Sequence, residues 1–344
     1  MLAHSHANTL GGGERAVLEL ARQLAPRHPV RLLLGGFDPR RTYADLASFP
    51  HARVGRLHWP LASVPADAIV ANSFGANLLA LRNGARLIYW VHSTRSRFLL
   101  PRGRRVDLLL RRGLDWIAVR RAALLVANSR YTASRLRRLY GRDVDAVVYP
   151  GVDLDLFRPP SHPDTGSGRF DSYAISVGRL APEKGLDRLF DLWRELPDVP
   201  LVLVGDGRPD YVRELRREAP PGVLFRGPYA PERLAEAYAK AAVAVFAPYG
   251  EDFGIAPLEA MAAGVPVVAW REGGLVETII DTETGYLAND PVTFRQRVRL
   301  LHRDHGLRHR LGQAARARAE TFSWERTARE MEAVMARLPR ESPG

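Results

Sequence analysis

Short runs rich in Leu, Val, Ile and Ala alternate with amphipathic segments along almost the whole chain, and this alternation limits the folds open to it. Candidate strands occupy residues 30–34, 68–71, 86–91, 123–127, 146–149, 173–177, 201–204, 223–226, 243–247 and 265–269. Between them, residues such as 14–25 place Val17, Leu20, Ala21 and Leu24 on one helical face. Strand–helix alternation of this kind predicts an α/β protein, with parallel sheets covered by helices on both faces. A chain of 344 residues is too long for one core and predicts about two domains. The one clear linker by Pro, Gly and Ser content is 158–168. It leaves a first domain over 1–158 and a second over 159–324. Residues 1–6 make a poor strand, so the first strand is expected to be short and irregular, or the chain to begin within it. Ligands of open parallel sheets bind beyond the carboxyl ends of the strands. Two doubly wound domains facing each other would therefore form a cleft.

Composition removes several functional classes. There is no Cys, which excludes disulfides, thiol catalysis and Cys-ligated metals. No apolar run approaches the ~18 residues of a membrane-spanning helix. The N-terminus lacks the basic and apolar regions of a signal peptide, so a cytoplasmic location is expected. The net charge of +12 is confined to the first half, where residues 1–150 hold 24 Arg against 9 acidic residues. Within it, residues 95–112 carry seven Arg and one acid, with Phe98, Leu99 and Leu100 among them. Such a segment suits an anionic membrane surface, or is simply a solvated Arg-rich face. The same charge would suit nucleic acid, but no recognised motif or stacking platform is present, and no nucleic-acid partner is expected. Of the 50 basic residues, only Lys184 and Lys240 are lysines.

Residues 250–268 carry the most chemistry. Glu251 and Glu259 are separated by seven intervening residues. Phe253, Gly254 and Ile255 form a turn between them, and Pro257 is expected to open a helix. Free amides at a helix N-terminus suit an anion, and two carboxylates suit a ligand rich in hydroxyls. A phosphorylated sugar has both properties. Arg179 and Lys184, in Gly178-Arg-Leu-Ala-Pro-Glu-Lys-Gly185, share a loop after a strand and could neutralise a diphosphate leaving group without a metal. Gly11, Gly12 and Gly13 precede an amphipathic helix and form either an anion-binding turn or a tight connection. Neither they nor Val204-Gly-Asp-Gly-Arg208 has the spacing of a dinucleotide fingerprint, so a nicotinamide cofactor is not expected. His92 ends a strand; it is either structural or a site residue. Gly273 and Gly274 precede a short helix over 275–280. Asp153-x-Asp155 and His4-x-His6 are weak metal pairs, and no metal site is expected.

Taken together, these residues resemble the retaining glycosyltransferases of family 4, which have the two-domain GT-B fold. The resemblance runs through Gly11-Gly-Gly-Glu14, His92, Asn128-Ser-Arg-Tyr131, Tyr149-Pro-Gly-Val-Asp153, Gly178–Gly185, Glu251…Glu259 and Glu272-Gly-Gly274. It implies that Arg179 and Lys184 hold the donor diphosphate and that Glu251 lies beside the transferred sugar. It also implies that the amides of Phe253, Gly254 and Ile255 meet sugar and phosphate, and that Glu259 binds the ribose. Gly12 and Gly13 match the loop near the diphosphate or acceptor, and His92 the histidine near the sugar C6 hydroxyl. Residues 325–344 match a C-terminal helix that crosses back to the first domain. The implied reaction is metal-independent transfer of a hexose from a nucleotide sugar to a glycan or lipid-linked acceptor, with retention by front-face substitution. Asn128–Tyr131, Tyr140-Gly-Arg142 and the Glu-Asp-Phe-Gly-Ile form of 251–255 look most like subgroups using GDP-mannose rather than a UDP-sugar. A phosphorylase or sugar-nucleotide epimerase on the same fold is the alternative. A non-catalytic module binding an anionic polymer is the remaining one.

Overall fold

The computed structural model describes residues 1–9, 11–55, 58–94, 105–159 and 173–339, with side chains left aside for 105–111. It divides into two compact units, Met1–Gly151 with Trp324–Gly344 and Val152–Ser323. Most of the Pro/Gly/Ser-rich linker and most of the Arg-rich stretch 95–112 lie outside the described residues or side chains.

In the first unit, β1 (Leu2–His4), α1 (Gly12–Leu24), β2 (Leu32–Leu34), β3 (His51–Arg53), β4 (Ile69–Ala71) and α2 (Ala80–Asn83) come first. They are followed by β5 (Leu87–Val91), α3 (Arg105–Arg121), β6 (Leu124–Ala127), α4 (Arg130–Tyr140) and β7 (Ala146–Val147). The sheet order is β3-β2-β1-β4-β5-β6-β7, and every pairing is parallel. Order therefore reverses between β1 and β4, which is where such a sheet opens a crevice for a ligand.

The first strand is short, as expected, and spans three residues within 1–6. Leu2, Ala3 and His4 are buried and pair with β2 on one side and β4 on the other. Three residues are too few to show a pattern, and His4 reads as polar in sequence. In the fold its Nδ1 lies 2.5 Å from Asn72 Oδ1, which satisfies the imidazole inside the sheet. Strand β3 escapes the sequence because all three of its residues are exposed at the sheet edge.

The second unit runs β8 (Tyr173–Val177), α5 (Leu186–Trp193), β9 (Leu201–Val204), α6 (Pro209–Glu218), β10 (Val223–Phe225) and α7 (Pro231–Ala239). It continues through β11 (Ala241–Phe246), α8 (Ile255–Ala262), β12 (Val267–Trp270), α9 (Leu275–Thr278), β13 (Gly285–Ala288), α10 (Pro291–Arg303) and α11 (His305–Glu320). Its all-parallel sheet has the order β10-β9-β8-β11-β12-β13 and reverses between β8 and β11. Helix α8 begins at Ile255, two residues before the expected start at Pro257. Pro257 fits there because the first-turn amides of a helix have no intrahelical acceptor. The segment after Val152 belongs to this unit, since Arg316 Nη1 donates to the carbonyls of Phe157 and Ala262, each at 2.7 Å.

The chain then returns to the first unit. Helix α12 (Trp324–Met335) packs Trp324, Ala328, Met331 and Val334 into the core that holds Val17, Leu20, Ala21 and Leu24 of α1. Thr327 Oγ1 donates to the Tyr149 carbonyl at 2.7 Å, and Arg27 pairs with Glu332 at 2.9 Å. The apolar contact dominates, because exposed ion pairs contribute little. Met331→Ala should therefore cost the first unit about 2–4 kcal/mol in urea unfolding, while Glu332→Ala should cost clearly less.

Candidate active site

The site is built at the β8/β11 reversal of the second unit. The chain leaves β8 at Val177 and passes Arg179 to a short 3₁₀ turn, Pro182–Lys184. It leaves β11 at Phe246 and passes through Tyr249, Gly250 and Glu251 to α8. Gly185 ties the two loops together. It has φ +64°, and a Cβ there would lie 1.9 Å from the Ala247 carbonyl oxygen, so only glycine allows the approach. Gly273 does the same on the far side. It has φ +69°, and a Cβ would lie 2.1 Å from the Glu251 carbonyl oxygen. The Gly274 amide then donates to that carbonyl at 2.7 Å.

Polar side chains fix the same loops. Arg188 stacks on the Tyr249 ring at 3.9 Å and reaches Glu272 at 3.2 Å. The other Glu272 oxygen accepts from the Gly250 amide at 3.0 Å. Tyr249 donates its hydroxyl to Asp187 at 2.5 Å and its amide to the Glu183 carbonyl at 3.1 Å. Neither Arg188 nor Tyr249 announces this in sequence; only the position of Glu272 before Gly273-Gly274 hints at it.

The structure brings Lys184 and Glu251 together, with Nζ and Oε2 2.6 Å apart. Arg179 pairs with Glu183 at 2.7 Å. The Phe253 side chain is buried and packs on Phe322, ring centroids 5.9 Å apart, so it is unavailable to a ligand. Gly254 adopts φ +95° and opens α8 without a side-chain cap. Glu259 lies one turn into α8 and is partly exposed. Burial, then the Glu259 carboxylate, hold the Tyr238 phenol well above its usual range, and Tyr238 donates to the Ala256 carbonyl at 3.0 Å.

Helix starts show a pattern. Helices α1, α5, α8 and α9 open on Gly11, Gly185, Gly254 and Gly274 with no side-chain cap. Helices α4, α10 and α11 are capped by Ser129, Asp290 and Asp304. A capping side chain satisfies a first-turn amide that an anion would otherwise bind. The glycine-opened helices thus leave those amides available.

In the first unit Gly12 and Gly13 are the first two residues of α1, so the expected loop is shorter by two residues. Below them lies a buried polar network. Asn72 Nδ2 donates to the Gly13 carbonyl at 2.9 Å, and Thr9 donates to Glu14 at 2.5 Å. Burial alone would raise the Glu14 carboxyl, but His4, whose Nε2 lies 3.9 Å away, and the hydrogen bond from Thr9 outweigh it and hold the carboxyl below its ordinary value. His4 and His6 do not share a ligand position, since His6 Nδ1 lies 2.6 Å from Ser5 Oγ. Asp153 Oδ1 accepts from the Leu156 amide at 2.9 Å and Asp155 pairs with Arg158, so this acidic pair shapes a turn. Among the described residues, no three His, Asp or Glu are grouped to hold a metal ion.

His92 follows β5. Its Nε2 is buried without a hydrogen-bond partner, and its ring meets the Trp90 edge at 4.1 Å. Burial, and to a lesser extent the His4 charge, push its pKa down to about 3. The ring is therefore a neutral donor or acceptor near pH 7.

Two family models cover most of the chain. One described as Glycosyltransferase Family 4 matches residues 10–156, and one described as Glycosyl transferases group 1 matches residues 158–318. The chain is similar to a D-inositol 3-phosphate glycosyltransferase of Xylanimonas cellulosilytica, 37% identical over 64% of this chain and 58% of the relative. One from Streptomyces bingchenggensis is 33% identical over 59% and 50%. The chain thus spans about half the length of the curated relatives it matches. Among solved structures, Anabaena HepE in complex with UDP and glucose superposes with a TM-score of 0.78 at 20% identity, covering 98% of this chain and 99% of the other. Sucrose-phosphate synthase from Thermosynechococcus elongatus gives 0.80 at 22% identity, covering 98% of each. At these identities the likeness is one of fold.

The buried His92 sets a pH dependence. Its folded pKa of about 3 lies below the ordinary 6.5. Between those values the unfolded chain takes up a proton that the folded chain refuses. Its stability contribution is therefore complete above pH 6.5 and is lost as pH falls toward 3. His92→Leu should recover up to about 2 kcal/mol of the stability lost between neutral pH and about pH 4.5, as read by urea unfolding at both values.

Proposed function

Because the chain belongs to the family 4 glycosyltransferases and has their GT-B fold of two Rossmann-like units, we propose that it transfers a hexose from a nucleoside diphosphate sugar to an acceptor hydroxyl. The observation that carries the reading is the β8/β11 reversal, where Lys184 on one loop meets Glu251 on the other beside two glycine-opened helices. A nucleotide sugar presents the groups such a set recognises. Arg179 and Lys184 take the diphosphate, with the amides of Gly254 and Ile255. Glu251 accepts from sugar hydroxyls, and Glu259 from ribose hydroxyls.

The reaction we assign is front-face substitution. The acceptor oxygen bonds to the anomeric carbon as the bond from that carbon to the phosphate oxygen breaks, and the acceptor proton passes to the leaving phosphate. Configuration is retained because both events occur on one face. The main catalytic task is then to stabilise charge growing on the diphosphate, and two cations and helix amides supply that without a metal. The family resemblance assigns Gly12, Gly13 and His92 to the same reaction, with His92 as a neutral hydrogen-bonding group.

GDP-mannose is the donor we favour from the motif forms. The UDP and glucose named for HepE make UDP-glucose the competing donor. The acceptor we propose is a glycan or lipid-linked hydroxyl; the relatives named for D-inositol 3-phosphate add an inositol phosphate to the candidates. A lipid-linked acceptor accords with α3, which exposes Leu114, Trp116 and Ile117 beside Arg112, Arg120 and Arg121. Among the described residues no helix is long and apolar enough to cross a membrane.

A thermal-shift panel of nucleoside diphosphates and their sugars should raise the melting temperature for one base, since ligands of the folded state stabilise it. Lys184→Ala and Glu251→Ala should each lower kcat/KM about 10²–10³-fold with the fold intact; full activity in either removes its assigned role. Product masses separate transfer from phosphorolysis and epimerisation. Trp116→Ser with Ile117→Ser should weaken binding to phosphatidylglycerol vesicles about tenfold, and unchanged binding would mark α3 as an ordinary solvated face.

A further inference from the structure

Each described cation at the β8/β11 reversal is paired with a carboxylate. Arg179 is held by Glu183, Lys184 by Glu251 and Arg188 by Glu272. An arriving diphosphate therefore competes with a carboxylate for each of these cations. The Lys184–Glu251 pair differs from the other two, because resemblance sends its halves to different parts of one ligand. We propose that this pair is a charge-exchange element that favours the intact nucleotide sugar over the free nucleoside diphosphate. The proposal rests on the nucleotide-sugar reading of the site.

The exchange follows from which partner can move. Glu251 sits on a backbone fixed at both sides, by the Gly274 amide on its own carbonyl and by the Glu272 carboxylate on the Gly250 amide. Lys184 is the last residue of a short turn, with a flexible stem and an ammonium 30% exposed as a side chain. When Lys184 turns to phosphate, Glu251 stays behind as a carboxylate without its cation. Sugar hydroxyls can then donate to it. A free diphosphate has no donor to offer and brings an additional negative charge close by. The protein thus binds the leaving product less well than the substrate that carried it.

The residue type fits this task. The chain uses Arg at 48 of its 50 basic positions, yet places Lys here. A guanidinium would fork onto Glu251 through two bonds and hold it, whereas an ammonium is a point charge that changes partner readily.

Calorimetric titration of wild type and Glu251→Gln with UDP, UDP-glucose, GDP and GDP-mannose tests the proposal. Glutamine keeps the length and the acceptor oxygen but removes the charge. For the base that binds, the diphosphate should tighten about fivefold or more, while its sugar conjugate gains little or loses affinity. An unchanged or weaker diphosphate in a folded Glu251→Gln overturns the exchange while leaving the nucleotide-sugar reading intact. Binding of none of the four ligands to wild type removes the reading and the exchange with it. A second measurement needs no variant. With lysines only at 184 and 240, isotope-labelled lysine ammonium groups give two resonances. Saturating diphosphate should move one and leave the other; two unmoved resonances would overturn the exchange.

Discussion

The approach of Gly185 to the Ala247 carbonyl is the constraint from which the rest of the candidate site follows. Parallel sheets splay their loops wherever strand order reverses, and at β8/β11 the two loops leave adjacent strands toward opposite faces. Nothing in that topology alone brings a cation on one loop to a carboxylate on the other. The missing side chain at Gly185 lets the backbones touch, with 1.9 Å between a would-be Cβ and the carbonyl oxygen. The Tyr249 amide then reaches Glu183, and Lys184 meets Glu251. Gly273 repeats the device against the Glu251 carbonyl. Glycine here trades chain entropy for proximity, and the polar clamp of Arg188, Glu272 and Tyr249 holds the result.

How much of this was legible depends on where the signal is stored. The α/β class, the parallel sheets and the strands of the second unit other than β13 follow from apolar runs, which burial enforces on both faces of a strand; β13, a four-residue strand that opens on Gly285, was not expected. Strand β1 was hidden because three residues carry no period and because His4 is satisfied by Asn72, a partner 68 positions away. Strand β3 was hidden because an exposed edge imposes no apolar pattern. The candidate site residues were visible through their glycines, since backbone close approach leaves a residue type that nothing else can replace. Partnerships were not visible. Lys184 with Glu251, and Arg188 with Glu272, join residues 67 and 84 positions apart, and no local spacing records such a meeting.

The two units apply one rule to helix starts. Where a helix opens at a strand-order reversal or beside it, glycine stands at the cap and the first amides are left without a side chain, as at Gly11, Gly185, Gly254 and Gly274. Where a helix serves packing alone, as α10 and α11 do, aspartate closes it. Side-chain caps are also absent at α6 and α7, which open on Arg208 and Ala230 ahead of a proline, so glycine rather than the missing cap distinguishes these four starts; a cap contributes about 1 kcal/mol where it is made.

What holds an uncapped helix in place is then a separate question, and the units answer it differently. At α8 the anchor is apolar, with Phe253 buried against Phe322 just ahead of the helix. At α1 it is polar and buried. Glu14, His4, Thr9 and Asn72 join the first turn to the ends of β1 and β4, and Asn72 bonds the Gly13 carbonyl itself. A buried carboxylate is tolerated because Thr9, a backbone amide and a histidine surround it, which is why its pKa falls although burial would raise it. Such a network is directional where an apolar contact is not. It fixes the position of the α1 amides, whereas Phe253 fixes only the depth at which α8 begins. The more directional anchor therefore lies under the glycines of the first unit.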